Sequence, residues 1–333
     1  MPTALASLNR LQLGKETAAG TAVAATAVIP GAAEFEETIE FYRSDYPRGV
    51  RVAAGGAGVI TGRGTTLKVE TELTAEEVLW PLLTGIASVT PTGTGPAYTW
   101  TFAPALSGHA SIATATAEFV RTDGATNHYV AIAPYCICTT FGIEWSASEV
   151  ARLSWEMTGR ARQAGAPTAS LTPYASREPL VGGLGKVFVD GSWGALGTTQ
   201  LLGTVRSGSL EVTTGLVHTR TVDGRADLDA TEHTSGMLEA KLDLVVELDA
   251  AGAARYAQYR QNELAFVRLR FEGTAIGGQP RYVQADGCWR VAGAPKWQAD
   301  GQQVLLGLSL ELVQDPATGN AIRFEARNGL GAV

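Results

Sequence analysis

The sequence is organised as two consecutive copies of one pattern. In the first copy, the alternating segment GTTLKVETEL (Gly64–Leu73) runs directly into TAEEVLWPLLTG, which has a helical pattern. In the second copy, GMLEAKLDLVVEL (Gly236–Leu248) runs directly into DAAGAARYAQYRQ. Each copy opens with a further alternating segment, Ala33–Tyr42 in one and Gly208–His218 in the other. Such a repeat predicts two similar units and is typical of a structural building block.

The alternation predicts which side chains are buried. In the first copy Leu67, Val69 and Leu73 alternate with Lys68, Glu70 and Glu72. The second copy follows the same rule from Leu238 to Leu248, with Val245 as an exception. In the opening segment Phe35, Ile39 and Phe41 lie on the side opposite Glu34, Glu36 and Glu40. A period of two with one apolar side is typical of antiparallel sheets that have one buried and one wet face. The predicted fold class is mainly β, with two tandem β-sandwich or barrel domains and one short flanking helix in each.

Composition shifts predict where these domains begin and end. The predicted parts are an N-terminal arm (1–30), a first β-domain (31–162), a linker (163–184), a second β-domain (185–314) and a C-terminal tail (315–333). The first thirty residues are rich in Ala, Thr and Gly and show no sustained periodicity. The linker carries Pro167, Pro173 and Pro179 among small residues, which is a poor composition for a core element. A break near Pro134 is expected in the long strand predicted over 128–145.

Each predicted helix has a recognisable start. Thr74 and Asp249 are candidate N-caps, and Glu76 and Glu77 are expected in the first turn, where they face the positive end of the helix dipole. Pro81 is expected to shorten or kink the first helix. In the second helix Tyr256 and Tyr259 are the expected anchors.

Motifs for chemistry are weak throughout. The net charge of −7 argues against a nucleic-acid clamp, which needs a basic face. The segment GGLGK lacks the spacing of a phosphate-binding loop, and no Gly-x-Ser-x-Gly or His-Glu-x-x-His is present. The cluster Asp227, Asp229, Glu232 and His233 is either a solvated or docking loop or a cation site, since it lacks the pattern of an EF-hand. We therefore expect neither an enzyme nor a cofactor.

Cysteines and tryptophans fit a structural role. Cys136, Cys138 and Cys288 are expected to be buried, reduced thiols, with a metal or disulfide role as the alternative. The tryptophans lie mostly in predicted strands and are expected in the core, with a sugar-binding platform as the alternative. No apolar run reaches the length of a membrane span, and no secretion signal is apparent at the start.

Two segments resemble a known family. The opening LQLGKETAAGTAVAATAVIP resembles the N-terminal segment of the tail tube proteins (major tail proteins) of long-tailed, siphovirus-type bacteriophages. The mid-chain PLVGGLGKVFVDG, followed by GSLEVTTGL, resembles the start of the second tube domain in the two-domain members. With the duplicated layout, the resemblance spans nearly the whole chain. It implies two tandem tube-type β-domains in a structural virion protein.

The resemblance also implies an assembly. Six tube domains make one ring, so a chain with two of them is expected to form trimeric, pseudo-hexameric rings that stack into a tube. The acidic face of such a protein lines the lumen and lets DNA slide through during ejection without specific binding, because negative charge repels phosphates. The candidate lumen residues are Glu34, Glu36, Glu40, Glu70, Glu72, Glu211, Glu239, Asp243 and Glu247.

Further partners follow from the same resemblance. The loops Pro47–Arg63 and Thr219–Ser235 exceed ordinary hairpin lengths and are expected to contact the next ring. Their candidate contact residues are Arg48, Arg51, Arg63, Arg220, Arg225 and Asp227. The expected partners are the protein itself and the tape measure, tail terminator and distal tail proteins, with assembly in the host cytoplasm and no membrane. The competing interpretation is a tandem β-sandwich adhesin or carbohydrate-binding module.

Overall fold

The computed structural model describes residues 3–43, 58–224, 227–301 and 303–333. These residues form eighteen strands and two α-helices, and sixteen of the strands belong to one connected sheet. The fold is mainly β and antiparallel, as the alternating segments predict. A single cluster of buried apolar side chains runs through both halves of the chain.

The bounds of the elements are as follows. The first half contains β1 (Arg10–Lys15), β2 (Ala27–Ile29), β3 (Ala32–Arg43), β4 (Gly58–Glu72), α1 (Leu79–Gly85), β5 (Tyr98–Phe102), β6 (Ala115–Thr122), β7 (Asn127–Ser146) and β8 (Arg152–Gly159). The second half contains β9 (Lys186–Asp190), β10 (Val205–Thr213), β11 (Leu216–Thr219), β12 (Glu232–Ser235), β13 (Glu239–Glu247), α2 (Ala250–Gln261), β14 (Ala265–Ile276), β15 (Gln279–Val291), β16 (Lys296–Asp300), β17 (Gln303–Leu312) and β18 (Ile322–Asn328). Short 3-10 turns lie at Ala6–Leu8, Gly182–Leu184 and Trp193–Ala195.

One row of strands crosses the whole chain. Its order is β3-β4-β8-β7-β10-β13-β17-β16, with four strands from each half and every neighbouring pair antiparallel. The halves meet where β7 pairs with β10, with Ile143 opposite Leu210. The row has one face packed on the core and one polar face, because apolar and polar residues alternate along its strands.

Strand β7 changes partners at a bend next to Pro134, where the sequence predicted a break, but the strand itself is continuous. Tyr135 has a φ of 59°, in the left-handed region, and the buried Glu16 Oε1 accepts its backbone N–H at 2.8 Å. Before the bend β7 pairs with β6, and after it β7 pairs with β8 and β10. The bend therefore lets one long strand serve two layers of the domain.

The terminal segments are parts of the sheet. The first thirty residues, expected to form an extended arm, contain β1 and β2, and β1 pairs with β6 along its full length. The C-terminal segment contributes β18, which lies between β5 of the first half and β15 of the second. The linker has no strand, but Leu180 is fully buried and the Tyr174 hydroxyl accepts the Trp80 indole N–H at 3.1 Å. The domain boundaries themselves remain a prediction.

The two halves repeat the same strand register. In β3–β4, Phe35 is opposite Leu67, and in β10–β13, Leu210 is opposite Leu242. One constant offset in residue number converts the first pair into the second. The same offset carries Phe41–Ile60 into Leu216–Ser235 and Arg43–Gly58 into His218–His233. The hairpin β11–β12 is thus the counterpart of the far end of the β3–β4 hairpin.

The second helix begins as predicted, with Asp249 as its N-cap, whereas Thr74 caps a turn that precedes α1. The Thr74 hydroxyl accepts the Glu77 N–H at 3.0 Å, and the Asp249 carboxylate accepts the Gly252 N–H at 2.8 Å. In the first half, however, a turn intervenes and α1 starts only at Leu79, with Pro81 in its first turn. The prediction for Glu76 and Glu77 was therefore wrong, since they precede the helix and are completely buried.

Candidate assembly surface

The predicted acidic residues lie along the polar face of the eight-strand row. Strand register places Glu34 beside Lys68, Glu70 beside Ser154, and Asp243 beside Ser209 on this face. The remaining predicted residues on the same face are Glu36, Glu72, Glu211, Glu239 and Glu247. Side chains from both halves are thus brought onto one continuous surface, which is what the alternating pattern indicates.

Basic residues neutralise part of this face. Lys241 Nζ lies 2.7 Å from Asp243 Oδ2, and this hydrogen bond and the carboxylate charge raise the pKa of Lys241. Lys68 Nζ is 3.8 Å from Glu156 Oε2, and Glu247 pairs with an arginine, Arg206, at 2.6 Å. The pairs are solvent-exposed to different degrees and contribute little to stability. Carboxylates nevertheless outnumber cations along the strands of this face.

Three further acidic residues share the face and were not predicted. Glu144 on β7, Glu156 on β8 and Glu311 on β17 alternate with the buried side chains of their own strands. The signal is present in the sequence, because Phe141, Ile143 and Trp145 alternate with Gly142 and Glu144. Single carboxylates in mixed strands are a weaker signal than the Glu-rich segments.

Glu40 lies apart from the other acidic residues, near the end of the β3–β4 hairpin. Its Oε2 accepts a hydrogen bond from Arg220 Nη1 at 2.8 Å, and this bond and the guanidinium charge lower the pKa of Glu40. Arg220 also donates to the Arg63 backbone carbonyl at 3.2 Å, and the Arg63 N–H donates to the Leu228 carbonyl at 3.0 Å. Two of the predicted loop residues, Arg63 and Arg220, thus meet within one chain.

The other predicted loop contacts are distributed differently. Asp227 lies in the described loop and has an interaction partner. Arg48, Arg51 and Arg225 lie outside the described residues. The loop Thr219–Ser235 therefore has contacts to the first half of its own chain, in addition to any it makes elsewhere.

The β11–β12 hairpin packs on the first half. His218 Nε2 lies 3.1 Å from the Thr158 carbonyl oxygen, and His233 Nδ1 lies 3.0 Å from the Tyr135 hydroxyl. The Arg160 guanidinium donates to the Ala230 carbonyl at 2.7 Å and lies over the Tyr135 ring. Leu216 is buried at this junction. Desolvation at this junction lowers the pKa of both histidines.

The counterpart hairpin in the first half is uncovered. Ile39 and Phe41 were predicted to face the core, and that prediction was wrong, since Phe41 is 56% exposed and Ile39 is also exposed. Tyr42 and Val59 are exposed beside them. The reason is geometric: beyond Phe35 the hairpin overhangs the body, and no described residue of the same chain lies over it. Phe41 corresponds to Leu216, which is 3% exposed.

The margin of the second half is uncovered in the same way. Leu73 N–H bonds to the Ala151 carbonyl and Leu248 N–H bonds to the Val304 carbonyl, so these pairs are equivalent. Leu73 is fully buried, whereas Leu248 is 43% exposed. Val304 and Trp297 are likewise exposed, although Trp297 contacts Tyr256 of α2 with ring centroids 5.4 Å apart. This margin, defined here by Leu248, Tyr256, Trp297 and Val304, is called the α2 margin.

A buried charge network holds the first helix between the halves. The Glu77 carboxylate accepts from Arg177 at 2.9 Å, and Arg177 also pairs with Glu72 at 2.8 Å. Arg281 of the second half lies 3.8 Å from Glu76. Desolvation raises the pKa of both carboxyls, to about 7 for Glu77, although the nearby arginines oppose the shift. The network ties the turn before α1, the linker and β15 together.

The polar face also has a shallow depression lined by Glu70, Glu72, Glu144, Arg152 and Arg177. Its lining is made of carboxylates and guanidiniums, and the 2.8 Å pair Glu72–Arg177 lies at its edge. A search of residues 3–43, 58–224, 227–301 and 303–333 finds no His, Cys, Asp and Glu cluster suited to a metal ion. The depression has the character of a charged surface.

The cysteines and most tryptophans are buried, as predicted. Cys136, Cys138 and Cys288 are free and buried, and desolvation raises the pKa of Cys136 to about 12. Trp100, Trp145, Trp155 and Trp289 are core residues, and Trp297 is the exposed exception. Across the described ranges, no helix is long and apolar enough to cross a membrane.

Comparison with known proteins identifies a family. A family model described as "Phage tail tube protein" matches residues 6–306 of the chain. The match spans both hairpins, both helices and the eight-strand row up to the first part of β17. A search of the curated proteins finds no match.

Proposed function

The chain belongs to the phage tail tube family, and we propose that it forms trimeric rings that stack into the tail tube and conduct DNA. The observation that carries this proposal is the eight-strand row with its free ends. Among the described residues, β3 pairs only with β4, and the outer edge of β16 has no partner. Unpaired edges in soluble proteins are normally covered or blunted. Copies of the chain joined edge to edge would cover both.

A head-to-tail contact between two different edges closes into a ring if the rotation is right. Each half supplies four strands to the row, and the two hairpins share one register. The chain therefore carries two near-equivalent units, and three chains supply six. This internal repeat supports a trimeric ring with pseudo-sixfold symmetry.

The polar face is the proposed lining of the bore. The opposite face is required for the core, so closure of the row places every carboxylate of the polar face on one side of the ring wall. DNA carries closely spaced phosphates, and a wall of like charge keeps it from binding. The bore then serves for passage of DNA, with no base or phosphate site.

Ring stacking is assigned to the ends of the two hairpins. The described end of the β3–β4 hairpin and the β11–β12 hairpin occupy equivalent places in their units, and the Arg220–Glu40 pair holds the loop Thr219–Ser235 beside the first hairpin. In a stacked tube the loops Pro47–Arg63 and Thr219–Ser235 are the proposed contacts to the next ring. Tape measure, tail terminator and distal tail proteins are the further partners in the virion, after assembly in the host cytoplasm.

Electron microscopy of the purified full-length chain tests the proposal. We expect rings or tubes, and a mass per ring of three chains by native mass spectrometry. A chain that stays monomeric at high concentration, or rings of six chains, would contradict it.

The acidic bore has its own test. Replacing Glu70, Glu72, Glu239 and Asp243 with Lys changes charge at exposed or half-exposed sites, so assembly is expected to persist. DNA ejection from particles that carry the variant is expected to slow, most at low salt, where screening is weakest. The control variant replaces the same residues with Gln. Ejection at the wild-type rate in the Lys variant would refute the lumen assignment.

A further inference from the structure

The junction inside the chain provides a template for a contact between chains. Where the halves meet, β10 pairs with β7 in antiparallel register, with Leu210 opposite Ile143 and Glu211 opposite Gly142. Leu210 and Ile143 are buried on the core face, and Glu211 is exposed on the polar face. The junction thus joins β10, the first strand of the second half in the row, to β7, the last strand of the first half in the row.

Both strands of this junction have counterparts at the free ends of the row. The shared hairpin register makes β3 the counterpart of β10, with Phe35 at the place of Leu210 and Glu36 at the place of Glu211. Strand β16 is the counterpart of the end of β7. Ile143 of β7 is opposite Leu153 in the neighbouring strand β8, and Trp297 of β16 is opposite Leu306 in the neighbouring strand β17.

The anchoring of β8 and β17 confirms that equivalence. Glu72 and Glu247 are equivalent, since each is the last residue of its strand, β4 or β13. Glu72 lies opposite Arg152 in β8, and Glu247 lies opposite Leu305 in β17. Leu153 and Leu306 follow one residue later in their strands. Trp297 therefore occupies the place of Ile143, and Lys296 the place of Gly142.

From this correspondence we infer that the α2 margin binds strand β3 of a second copy of the chain, in one antiparallel register. Phe35 then lies opposite Trp297, and Glu36 lies opposite Lys296. The inference rests on the proposed ring assembly and adds the residues that make the contact.

The chemistry of the two edges is complementary in this register. Trp297 is 53% exposed in the isolated chain and meets an aromatic ring, Phe35, on the core face. On the polar face an exposed carboxylate meets an exposed ammonium, and opposite charges directly across strands stabilise a sheet. A shift of one residue would place Glu36 against Trp297 and turn the polar side chains to the core.

The overhanging hairpin fits the same contact. Within the chain, Leu216 and His218 lie against the first half, beyond the point where β10 leaves β7. Their counterparts Phe41 and Arg43 are exposed. When β3 binds to the α2 margin of a neighbouring copy, Phe41 and Tyr42 lie against the second half of that copy. The contact then buries these two side chains, which are exposed in the isolated chain.

Engineered disulfides test the register in assembled particles. In an antiparallel pair, opposed Cα atoms are about 4.5–5.5 Å apart, which a disulfide can span. The full chain with Glu36→Cys and Lys296→Cys is oxidised after assembly and run on a non-reducing gel. The native cysteines are buried, so they do not compete. Most of the protein is expected to become cross-linked between chains.

A matched control moves one cysteine by two residues on the same face. The pair Glu34→Cys with Lys296→Cys is expected to cross-link at least about tenfold less, because diagonal neighbours lie beyond disulfide range. Stronger cross-linking in the control would overturn the register. Tubes without either cross-link would overturn this inference and leave the proposed function standing. A chain that forms no rings at all would remove both.

A charge exchange provides a second measurement. Lys296→Glu places like charges opposite each other and is expected to raise the concentration needed for assembly by about fivefold. Adding Glu36→Lys to that variant is expected to restore the wild-type concentration. No change in the single variant, or no rescue in the double, would count against the assigned pair.

Discussion

The two helices α1 and α2 follow equivalent strands, β4 and β13, yet they have opposite environments. All seven residues of α1 are buried, whereas in the twelve-residue α2 only Gly252 is buried. The first helix is enclosed by its own half, the linker and the second half, through Tyr174, Arg177 and Arg281. The second helix packs through Tyr256 on Trp297, which is itself 53% exposed.

This difference shows that one chain can contain two similar units, one with its helix buried and one with its helix exposed. The first half is completed inside the chain. In the second half the α2 margin is uncovered. In the first half the end of the β3–β4 hairpin is uncovered. The α2 margin and the end of the β3–β4 hairpin lack the burial that their counterparts have within the chain. We propose that a neighbouring copy provides this burial.

The largest expected effect comes from the equivalent leucines. Leu73→Ala removes a fully buried side chain and is expected to lower the free energy of unfolding by about 2–5 kcal/mol. Leu248→Ala affects a half-exposed side chain and is expected to cost less than about 1 kcal/mol in the isolated chain. Urea denaturation of the unassembled protein measures both values. Equal decreases in unfolding free energy for the two variants would contradict the difference in burial between the halves.

The next effect concerns the buried carboxyl that has no counterpart in the second half. The folded pKa of Glu77 is raised to about 7, so the folded protein holds this proton more tightly than the unfolded chain does. The protonated Glu77 carboxyl contributes its full share of the folding stability below the unfolded pKa near 4.5. This share is lost as the pH rises through about 7. Relative to Glu77→Gln, wild type should therefore lose up to about 3 kcal/mol of stability over that range.

Unfolding free energies of both proteins at pH 4.5, 6 and 8 give the difference. Glu72→Gln is the matched control, because it removes the exposed carboxylate partner of the same Arg177. A wild-type advantage that grows with pH would show that Arg177 outweighs the burial.

The helix caps are expected to have a moderate effect. Asp249→Ala removes the acceptor of the Gly252 N–H and is expected to destabilise the isolated chain by about 1 kcal/mol. Asp249→Asn retains an acceptor and should lose only part of this. Loss of helix α2 in Asp249→Ala alone would be visible as faster hydrogen exchange over Ala250–Gln261. Unchanged exchange would show that packing holds α2 without its cap.

The smallest effect is expected at the exposed pair Arg220–Glu40. Both side chains are about half exposed, and Arg220→Ala should cost less than about 1 kcal/mol, with the loss reduced at high salt. The matched change in the buried part of the same junction is Tyr135→Phe, which removes the contact to His233. A larger loss for Arg220→Ala would mean that the exposed pair is the principal contact of the hairpin.

Much of the sheet could be predicted from the alternation of side chains. The faces of Leu67, Glu70, Leu242 and Asp243 follow from a period of two, because a one-residue shift would bury charge. An irregularity near Pro134 in β7 and the Asp249 N-cap were also predictable from local sequence. These features depend on neighbours along the chain, so a single sequence contains them.

The rest depends on distant partners. Glu76 and Glu77 are buried only because Arg177 and Arg281 reach them from the linker and the second half. The strand β1 was missed because a buried amide, Gln12, and small residues obscure its alternation. Phe41 and Trp297 have the pattern of core residues, but the pattern does not say which copy of the chain covers them.

A cryo-electron microscopy reconstruction of the assembled tube tests the central claim most directly, which is that neighbouring copies complete the second unit. The account predicts three chains per ring, strand β3 beside β16 with Phe35 opposite Trp297, and the carboxylates of the polar face inside the bore. A ring in which the α2 margin stays exposed, or in which Glu70 and Asp243 face the exterior, would contradict it.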